Sequence, residues 1–354
     1  MPHLFFDSAL LPSGWADDVR LSIDSAGWIT AVEPGARPRG ATHVPGVAVP
    51  GVPNAHSHAF QRAMAGLTER GSPSGDSFWS WRRRMYGFLR TLDPDAVEAI
   101  TAQLQVELLE RGFTALAEFH YLRNAPDGRP YDDPVEMGRR ILAASERTGM
   151  GTTLLPTVYR TADFGGEPAT HEQRRFVTSV EDLVGDVAVL GAGAAAGSVR
   201  IGLALHSLRA VPPEALTVAV EAARGMDPEI PIHIHAAEQE REVGACLEWS
   251  GARPVEWLLD NADVDDGWSV VHATHVTEEE VEGLAEGGAT VVLCPTTEAN
   301  LGDGIFPFPS YLERKGSWAL GTDSHVGRDP AGELRLLEYG QRLMTRSRNV
   351  GAGL

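Results

Sequence analysis

The chain has 354 residues, 43% of them hydrophobic, which is enough apolar material for one large core and too much for a disordered chain. Its 49 acidic and 30 basic side chains give a formal net charge of −19, which argues against nucleic acids and anionic membranes as partners. Its two cysteines, Cys246 and Cys294, are too few for a disulfide framework, and no basic, apolar leader precedes Asp7. These features predict a cytoplasmic globular protein.

Residues 1–46 are expected to form a small β-element of their own. Short strand-like runs at Val19–Ile23 and Trp28–Val32 flank the turn residues 24–27, and this spacing predicts a hairpin. No obvious strand partner for this hairpin stands elsewhere in the chain. We therefore predict a small β-domain at 1–46 and a second domain at 47–354.

The second domain reads as alternating strands and helices, which favours parallel βα units of an α/β protein. Helix starts are marked by Asp93-Pro94, a cap followed by proline, and by the capping box Thr277–Glu280. Eight runs predict strands, and eight strands predict a TIM-type (β/α)8 barrel with insertions. They are Val47–Val52, Phe113–Phe119, Gly151–Tyr159, Val199–His206, Ile230–His235, Trp268–His272, Thr290–Cys294 and Trp318–Thr322.

Ionisable side chains recur where these strands end, and barrel enzymes build their sites at the carboxyl ends of the strands. The residues at these positions are His56, His58, His206, His233, His235, His272 and Asp323. A random scatter of surface histidines would not favour strand ends so consistently. The pattern therefore predicts the site of a metal-dependent hydrolase.

His56 and His58 are two residues apart, so on a strand their imidazoles point to the same side. Two neutral imidazoles suit a zinc-like ion if other segments supply further ligands, although an isolated His-x-His pair is common on polar strand faces. Asp323 could add an anionic oxygen ligand, or could instead cap a helix. These residues are candidates for one shared metal site.

Periodicity alone does not separate His233 from His235 as the next ligand, because both lie on one strand face. We favour His235, which is nearer the mouth and has Glu238 three residues later as a proton carrier, and we expect His233 to be a core histidine. Lys315 is the single lysine of the chain, so no mid-chain carbamylated lysine can bridge two ions. The site should hold one metal ion, zinc or another divalent ion such as iron.

Five segments resemble the amidohydrolase superfamily and, within it, the formimidoylglutamate deiminase family of histidine degradation. They are Pro53–Ala63, His206–Val211, His235–Gln239, Val271–His275 and Gly321–His325. The resemblance implies one zinc ion held by His56, His58, His235 and Asp323. It also implies that His272 and Asp323 assist the attacking water, that Glu238 shuttles protons, and that the chain forms a homodimer.

The resemblance further implies that Gln61, Arg82, Tyr121, His206 and Arg209 bind a small anionic substrate, formiminoglutamate. Guanidinium groups suit carboxylates because they donate two parallel hydrogen bonds. Arg82, Arg83 and Arg84 cannot all face one site, since successive helical side chains turn by about 100°. Tyr121 could alternatively be a core residue.

The implied reaction is hydrolysis of an amidine C–N bond, in which hydroxide generated at the metal attacks the formimino carbon and ammonia leaves. One alternative is a deaminase of the same superfamily that acts on a purine, a pyrimidine or another aminated ring. A second alternative is a truncated, inactive zinc-binding homologue, because resembling enzymes continue past residue 354 with a segment that completes a small β-sandwich. On that reading the C-terminal half of the sandwich is missing here.

Overall fold

The computed structural model describes residues 2–69, 71, 75–193 and 197–351. Contacts between residues divide the chain into two units, Met1–Val52 and Pro53–Leu354. In the described ranges, no helix combines the length and the apolar character needed to cross a lipid bilayer.

The first unit is a four-stranded sheet in the order β3-β2-β1-β4. Its strands are β1 (His3–Leu11), β2 (Gly14–Ile23), β3 (Ile29–Glu33) and β4 (Thr42–Ala48). The predicted hairpin is confirmed, because β2 and β3 pair antiparallel, and Asp24 Oδ1 accepts the backbone N–H groups of Ala26 and Trp28 in the turn. The expectation that it lacks partners is wrong, since β1 pairs with β2 and with β4.

The second unit contains eight parallel strands that are hydrogen-bonded in chain order. They are β5 (Val52–Ser57), β6 (Phe113–His120), β7 (Gly151–Val158), β11 (Leu203–Ser207), β12 (Ile232–Ala236), β13 (Trp268–His272), β14 (Thr290–Leu293) and β15 (Ser317–Leu320). A parallel bridge between Ser57 at the end of β5 and Asp323, three residues after β15, joins the last part of the barrel to the first strand. The predicted (β/α)8 barrel is therefore confirmed.

Eleven α-helices of the described residues accompany the strands. They are α1 (Phe78–Leu89), α2 (Pro94–Leu109), α3 (Glu136–Thr148), α4 (Val180–Gly193), α5 (Pro213–Met226), α6 (Glu240–Ser250), α7 (Pro254–Asn261), α8 (Glu278–Gly287), α9 (Pro295–Leu301), α10 (Phe308–Glu313) and α11 (Pro330–Thr345). Short 3₁₀ helices span Ala59–Met64 and Phe164–Gly166, β8 (Thr161–Asp163) pairs with β9 (Glu167–Pro168), and β10 (Val199–Ile201) pairs with β7.

The first barrel strand lies later in the chain than expected. The predicted run Val47–Val52 is split between the end of β4 and the start of β5, so that prediction is wrong. Proline and asparagine weigh against a strand locally, and the predicted run stops just before Pro53 and Asn54. Both lie inside β5. The Asn54 side chain donates a hydrogen bond to the Thr322 hydroxyl at 2.6 Å, across the barrel seam, by which we mean the junction between the first and last barrel strands. The shift places His56 on the strand and His58 just after it.

Two predicted helix starts are confirmed. Asp93 Oδ1 accepts the N–H of Ala96 at 2.8 Å ahead of α2, and Thr277 with Glu280 forms the capping box of α8. The apolar core lies between strands and helices and includes fully buried Phe119, Ile232 and Trp268. Burial of each large apolar side chain contributes roughly 1.5–3 kcal/mol, so this core holds the strand ends in place.

Candidate active site

Three imidazoles and one carboxylate converge at the carboxyl ends of the barrel strands. The Nε2 atoms of His56, His58 and His235 lie 3.2, 3.3 and 3.1 Å from one another. Asp323 Oδ1 lies 3.5 Å from the Nε2 of His56 and 3.4 Å from that of His58. Ligand atoms about 2.1 Å from a tetrahedral ion are about 3.4 Å apart, so this ligand cluster fits one small divalent ion.

Hydrogen bonds to the outer ring nitrogens orient two of these imidazoles. His58 Nδ1 donates to the carbonyl oxygen of Phe119 at 2.9 Å, and His235 Nδ1 donates to that of His206 at 2.8 Å. Each ring therefore carries its proton on Nδ1 and directs the Nε2 lone pair inward, as metal-binding histidines do. His56 Nδ1 is buried and has no hydrogen-bond partner among the described residues.

Burial keeps the three imidazoles neutral, which is the form that binds metal ions. It lowers the pKa of His58 to about 3, and burial together with the neighbouring histidines lowers the pKa of His56 and His235 well below the usual value. Burial has the opposite effect on the carboxyl group and raises the pKa of Asp323 to about 7. A cation among these groups would favour the ionised Asp323, so the electrostatics also fit a metal ion.

The first and last barrel strands hold the ligands through backbone hydrogen bonds. The N–H groups of Thr322 and Asp323 donate to His56 O at 3.1 and 3.0 Å, and His58 N–H donates to Asp323 O at 3.0 Å. Asp323 has φ of 45°, in the left-handed region that non-glycine residues seldom adopt. His272 shares this property with φ of 70°. Such conformations often mark functional sites, because surrounding contacts must hold them.

Glu238 and His272 lie next to the ligand cluster. His272 Nε2 is 4.0 Å from Glu238 Oε1, and its Nδ1 is 3.2 Å from Glu298 Oε1. Burial opposes the charged form of His272, but the carboxylates of Glu238, Glu298 and Asp323 outweigh it and raise the pKa of His272 to about 10. The backbone N–H of Glu238 donates to Glu242 Oε2 at 3.0 Å, which steadies the loop after β12.

A cavity opens onto this cluster, and its empty space, together with the solvent at its open mouth, is about 550 Å³. Its lining includes all five residues that the resemblance implicated in substrate binding, namely Gln61, Arg82, Tyr121, His206 and Arg209. It also includes His58, His235, Glu238, His272 and Asp323, whereas His233 is buried outside it. The structure therefore brings together the predicted site residues, and His56, which does not line the cavity, contacts His58 and His235 through its Nε2 atom.

The polar side chains on one wall interact with each other. Gln61 Nε2 donates to Tyr121 Oη at 3.1 Å, while Gln61 Oε1 is buried without a partner among the described residues. The His206 ring packs edge-on against Tyr121, with centroids 5.3 Å apart. Burial, Arg209 and Arg82 lower the pKa of His206 well below its usual value, so this imidazole is neutral.

The two pocket arginines have no carboxylate partner within the described ranges. Arg82 Nε donates to Tyr86 Oη at 2.5 Å, and an Arg82 terminal nitrogen lies 3.5 Å from Tyr159 Oη. Arg209 is buried and its Nε has no hydrogen-bond partner in the described structure. Arg83, next to Arg82 on α1, is exposed. An unpaired buried cation is costly, so the Arg209 guanidinium group is suited to an anionic ligand, and half-buried Arg82 has only neutral hydroxyl groups as hydrogen-bond partners among the described residues.

Sequence reasoning missed several residues around the site. Tyr86 and Tyr159 hold Arg82, and Glu298 accepts from His272 and from the Cys294 N–H at 2.8 Å. Glu118 was also missed, although a glutamate within the apolar strand β6 is itself a signal, since a buried carboxyl group requires hydrogen-bond donors.

Comparisons with known proteins agree with this arrangement. Residues 47–351 match the amidohydrolase family, and residues 1–43 match the N-terminal domain of formimidoylglutamate deiminase HutF. The formimidoylglutamate deiminase of Pseudomonas aeruginosa is 48% identical over 349 residues, which are 99% of this chain and 76% of that protein.

A 5-methylthioadenosine/S-adenosylhomocysteine deaminase of Natronomonas pharaonis is 30% identical over 276 residues, covering 78% of this chain and 57% of that protein. Among solved structures, an amidohydrolase from Brucella melitensis superposes with a TM-score of 0.93 at 45% identity, covering 100% of this chain and 78% of that one. The family match, the barrel and its strand-end ligands agree, and the chain belongs to the amidohydrolase family.

Proposed function

We propose that this protein hydrolyses N-formimino-L-glutamate to N-formyl-L-glutamate and ammonia. One observation carries the proposal: a single cavity joins a metal-ligand cluster to two arginines that have no acidic partner among the described residues. The 48% identity to the formimidoylglutamate deiminase of Pseudomonas aeruginosa supports the same substrate. This substrate has two carboxylates for the arginines and one amidine carbon for hydrolysis.

We propose that His56, His58, His235 and Asp323 hold one divalent ion, and that the ion is zinc. Three imidazoles and one carboxylate are a donor set that zinc accepts readily. When bound, such an ion lowers the pKa of a coordinated water toward about 7 and thereby supplies a nucleophile at neutral pH. The ligand cluster's spacing and neutral imidazoles support this assignment.

Glu238 is assigned to proton transfer. It lines the cavity beside the ligand cluster, so its carboxylate can take a proton from the attacking water and deliver it to the amidine nitrogen. His272, held by Glu298 on one ring nitrogen, presents its Nε2 side to the same region and can donate a hydrogen bond to the oxygen that develops negative charge. Protonation of nitrogen allows the C–N bond to break with ammonia as the leaving group.

Arg82 and Arg209 are assigned to the two substrate carboxylates, with Gln61, Tyr121 and His206 as hydrogen-bonding neighbours. These five side chains all line the cavity. Bidentate arginine contacts would set the distance from the carboxylates to the amidine carbon. A neutral purine or pyrimidine has no group that requires two guanidinium ions.

We further propose that residues 47–354 are the hydrolase domain, with 1–46 as a small accessory β-domain, that the protein acts as a homodimer, and that it works in the cytoplasm. The separate family matches at 47–351 and 1–43 support the division. The two cysteines are unpaired and buried, which suits a reducing compartment.

An ammonia-release assay on the zinc-loaded protein tests the function. We expect turnover of N-formimino-L-glutamate at least 100-fold faster than turnover of guanine, adenosine or cytosine at equal concentrations. A preference for any of the three bases would instead identify a ring deaminase, and no turnover of any substrate by a folded, zinc-loaded chain would support the inactive homologue.

A further inference from the structure

Glu118 is a buried carboxyl group that the proposed reaction does not use. It lies on β6, and 1% of its surface is exposed. Its Oε2 accepts the hydroxyl of Ser57 at 2.5 Å, and its Oε1 accepts the backbone N–H of Ala59 at 2.7 Å. Ser57 and Ala59 flank His58, so one carboxyl group binds the chain on both sides of a metal-ligand candidate.

The contacts continue from Ser57 to the opposite side of the barrel seam. Ser57 Oγ lies 2.9 Å from His325 Nε2, and His325 Nδ1 lies 2.8 Å from Thr322 Oγ1. Asn54 Nδ2 donates to the same Thr322 hydroxyl at 2.6 Å. We call these five residues, Asn54, Thr322, His325, Ser57 and Glu118, the seam network. All five are buried and together they join β5, β6 and the segment after β15.

The hydrogen bonds of the seam network can all run in one direction, from the Asn54 amide to Glu118 as the final acceptor. Asn54 Oδ1 accepts the Thr322 N–H at 3.1 Å, so its amide nitrogen must donate to Thr322 Oγ1. The Thr322 hydroxyl then donates to His325 Nδ1, His325 Nε2 donates to Ser57, and Ser57 donates to Glu118. In this arrangement each hydroxyl donates once and accepts once, and Glu118 Oε2 accepts the last hydrogen bond.

We propose that Glu118 is a positioning residue for the metal site, which acts by anchoring the seam network around His56, His58 and Asp323. The inference rests on the proposed metal site but not on the proposed substrate. Small displacements of ligands weaken metal binding, and loss of an outer hydrogen-bond partner commonly lowers metal affinity 10- to 100-fold. Among the described residues, Glu118 has no ion pair, so its role does not reduce to charge balance.

Glu118→Gln tests the inference with little change of shape. A glutamine can accept from only one of its two donors, and its NH₂ group then faces either the Ala59 N–H or the Ser57 hydroxyl. We expect zinc affinity, measured by competition with a chelator, to fall 10- to 100-fold. The visible absorption of the cobalt(II)-loaded protein should also change, because it reports ligand geometry.

Ser57→Ala removes the hydroxyl that donates to Glu118, and it should weaken zinc binding to a similar extent. The double variant should lose much less than the product of the two single effects, since both act through one contact. Ser57→Ala also keeps the test decisive if Glu118→Gln does not fold.

Glu280→Gln is the matched control. Glu280 is equally buried and accepts from Arg253 Nε at 2.8 Å and Thr277 N–H at 2.7 Å, but it lies on α8 outside the seam network. It should lower thermal stability while zinc affinity and the cobalt spectrum stay as in the wild type. Zinc affinity within twofold of wild type in both Glu118→Gln and Ser57→Ala would overturn the inference. Because zinc binding is measured without substrate, a wild-type chain that binds zinc but fails to release ammonia would contradict only the proposed function.

Discussion

Arg209 places a buried positive charge in the pocket of a protein whose formal net charge is −19. Its replacement by methionine keeps the apolar volume but removes the charge. We expect KM for formiminoglutamate to rise about 30-fold or more, since a charged hydrogen bond contributes roughly 2 kcal/mol or more. Metal content should be unchanged, because Arg209 is not a ligand candidate.

Arg83→Met is the control for Arg209→Met, as Arg83 is exposed on α1 and should leave KM unchanged. Steady-state kinetics with metal analysis by mass spectrometry distinguish the cases. An equal loss of metal and of substrate binding in Arg209→Met would contradict its assignment to the carboxylates.

Glu238 is tested by glutamine, which has the same shape but cannot transfer a proton. We expect Glu238→Gln to retain zinc and to lose about 10²- to 10⁴-fold in kcat, the usual contribution of a positioned acid–base group. Glu240→Gln, an exposed change in the first turn of α6, should retain wild-type kcat. Near wild-type ammonia release by Glu238→Gln would mean that another group carries the proton.

At the scale of the strands, Gly321 leaves room for the ligand cluster. A Cβ atom at this position would lie 2.7 Å from His56 Cβ and 2.8 Å from Cys294 Sγ, both too short for carbon and sulfur contacts. Gly321→Ala must therefore move His56 on β5 or Cys294 just after β14, at a cost of about 1–3 kcal/mol. We expect lower thermal stability together with weaker zinc binding.

Gly185→Ala provides the comparison for Gly321→Ala. Gly185 lies within α4, and a Cβ there would meet no atom within 4 Å. Alanine should stabilise the helix by about 0.5–1 kcal/mol without an effect on zinc. If Gly321→Ala bound zinc as tightly as Gly185→Ala, the close approach of the strands would not be needed for the ligand cluster.

For the molecule as a whole, buried neutral histidines make stability depend on pH. Burial lowers the pKa of His120 and of His233 to about 4, below the value of about 6.5 expected in the unfolded chain. The unfolded state therefore takes up more protons, and the stabilising effect, complete above pH 6.5, is lost as pH falls toward 4. Buried carboxyl groups have the opposite effect. Burial raises the pKa of Glu118 to about 8, so its contribution to stability is lost as the pH rises toward that value.

His120→Asn isolates one of these contributions. Relative to the wild type, this variant should gain up to about 3 kcal/mol of unfolding free energy between pH 6.5 and pH 4. Chemical denaturation of the metal-free proteins across this range measures the difference. A pH-independent difference between the two proteins would show that His120 titrates normally in the folded state.

Local sequence pattern determined the fold class and most ligand candidates. Alternation of apolar strands with helices specifies parallel units, and parallel strands place their carboxyl ends at one edge. Residues that end different strands, such as His58, His235 and Asp323, must then approach each other. The sequence pattern predicted the wrong bounds for the first barrel strand. Pro53 and Asn54 weigh locally against a strand, but two hydrogen bonds between Asn54 and Thr322, which are 268 residues apart, outweigh that preference.

The sequence by itself determined a barrel with histidines and an aspartate at its strand ends, because strand and helix periodicities are local properties. The tertiary structure places Arg82, and not Arg83 or Arg84, on the cavity wall, as the family resemblance implied. Only the tertiary structure decided that Glu118 accepts hydrogen bonds from the residues on both sides of His58. It also decided the separations of 3.1 to 3.3 Å between imidazole nitrogens that suit one ion. These outcomes depend on contacts between distant segments of the chain, such as the hydrogen bond from Ser57 to Glu118, which no local periodicity encodes.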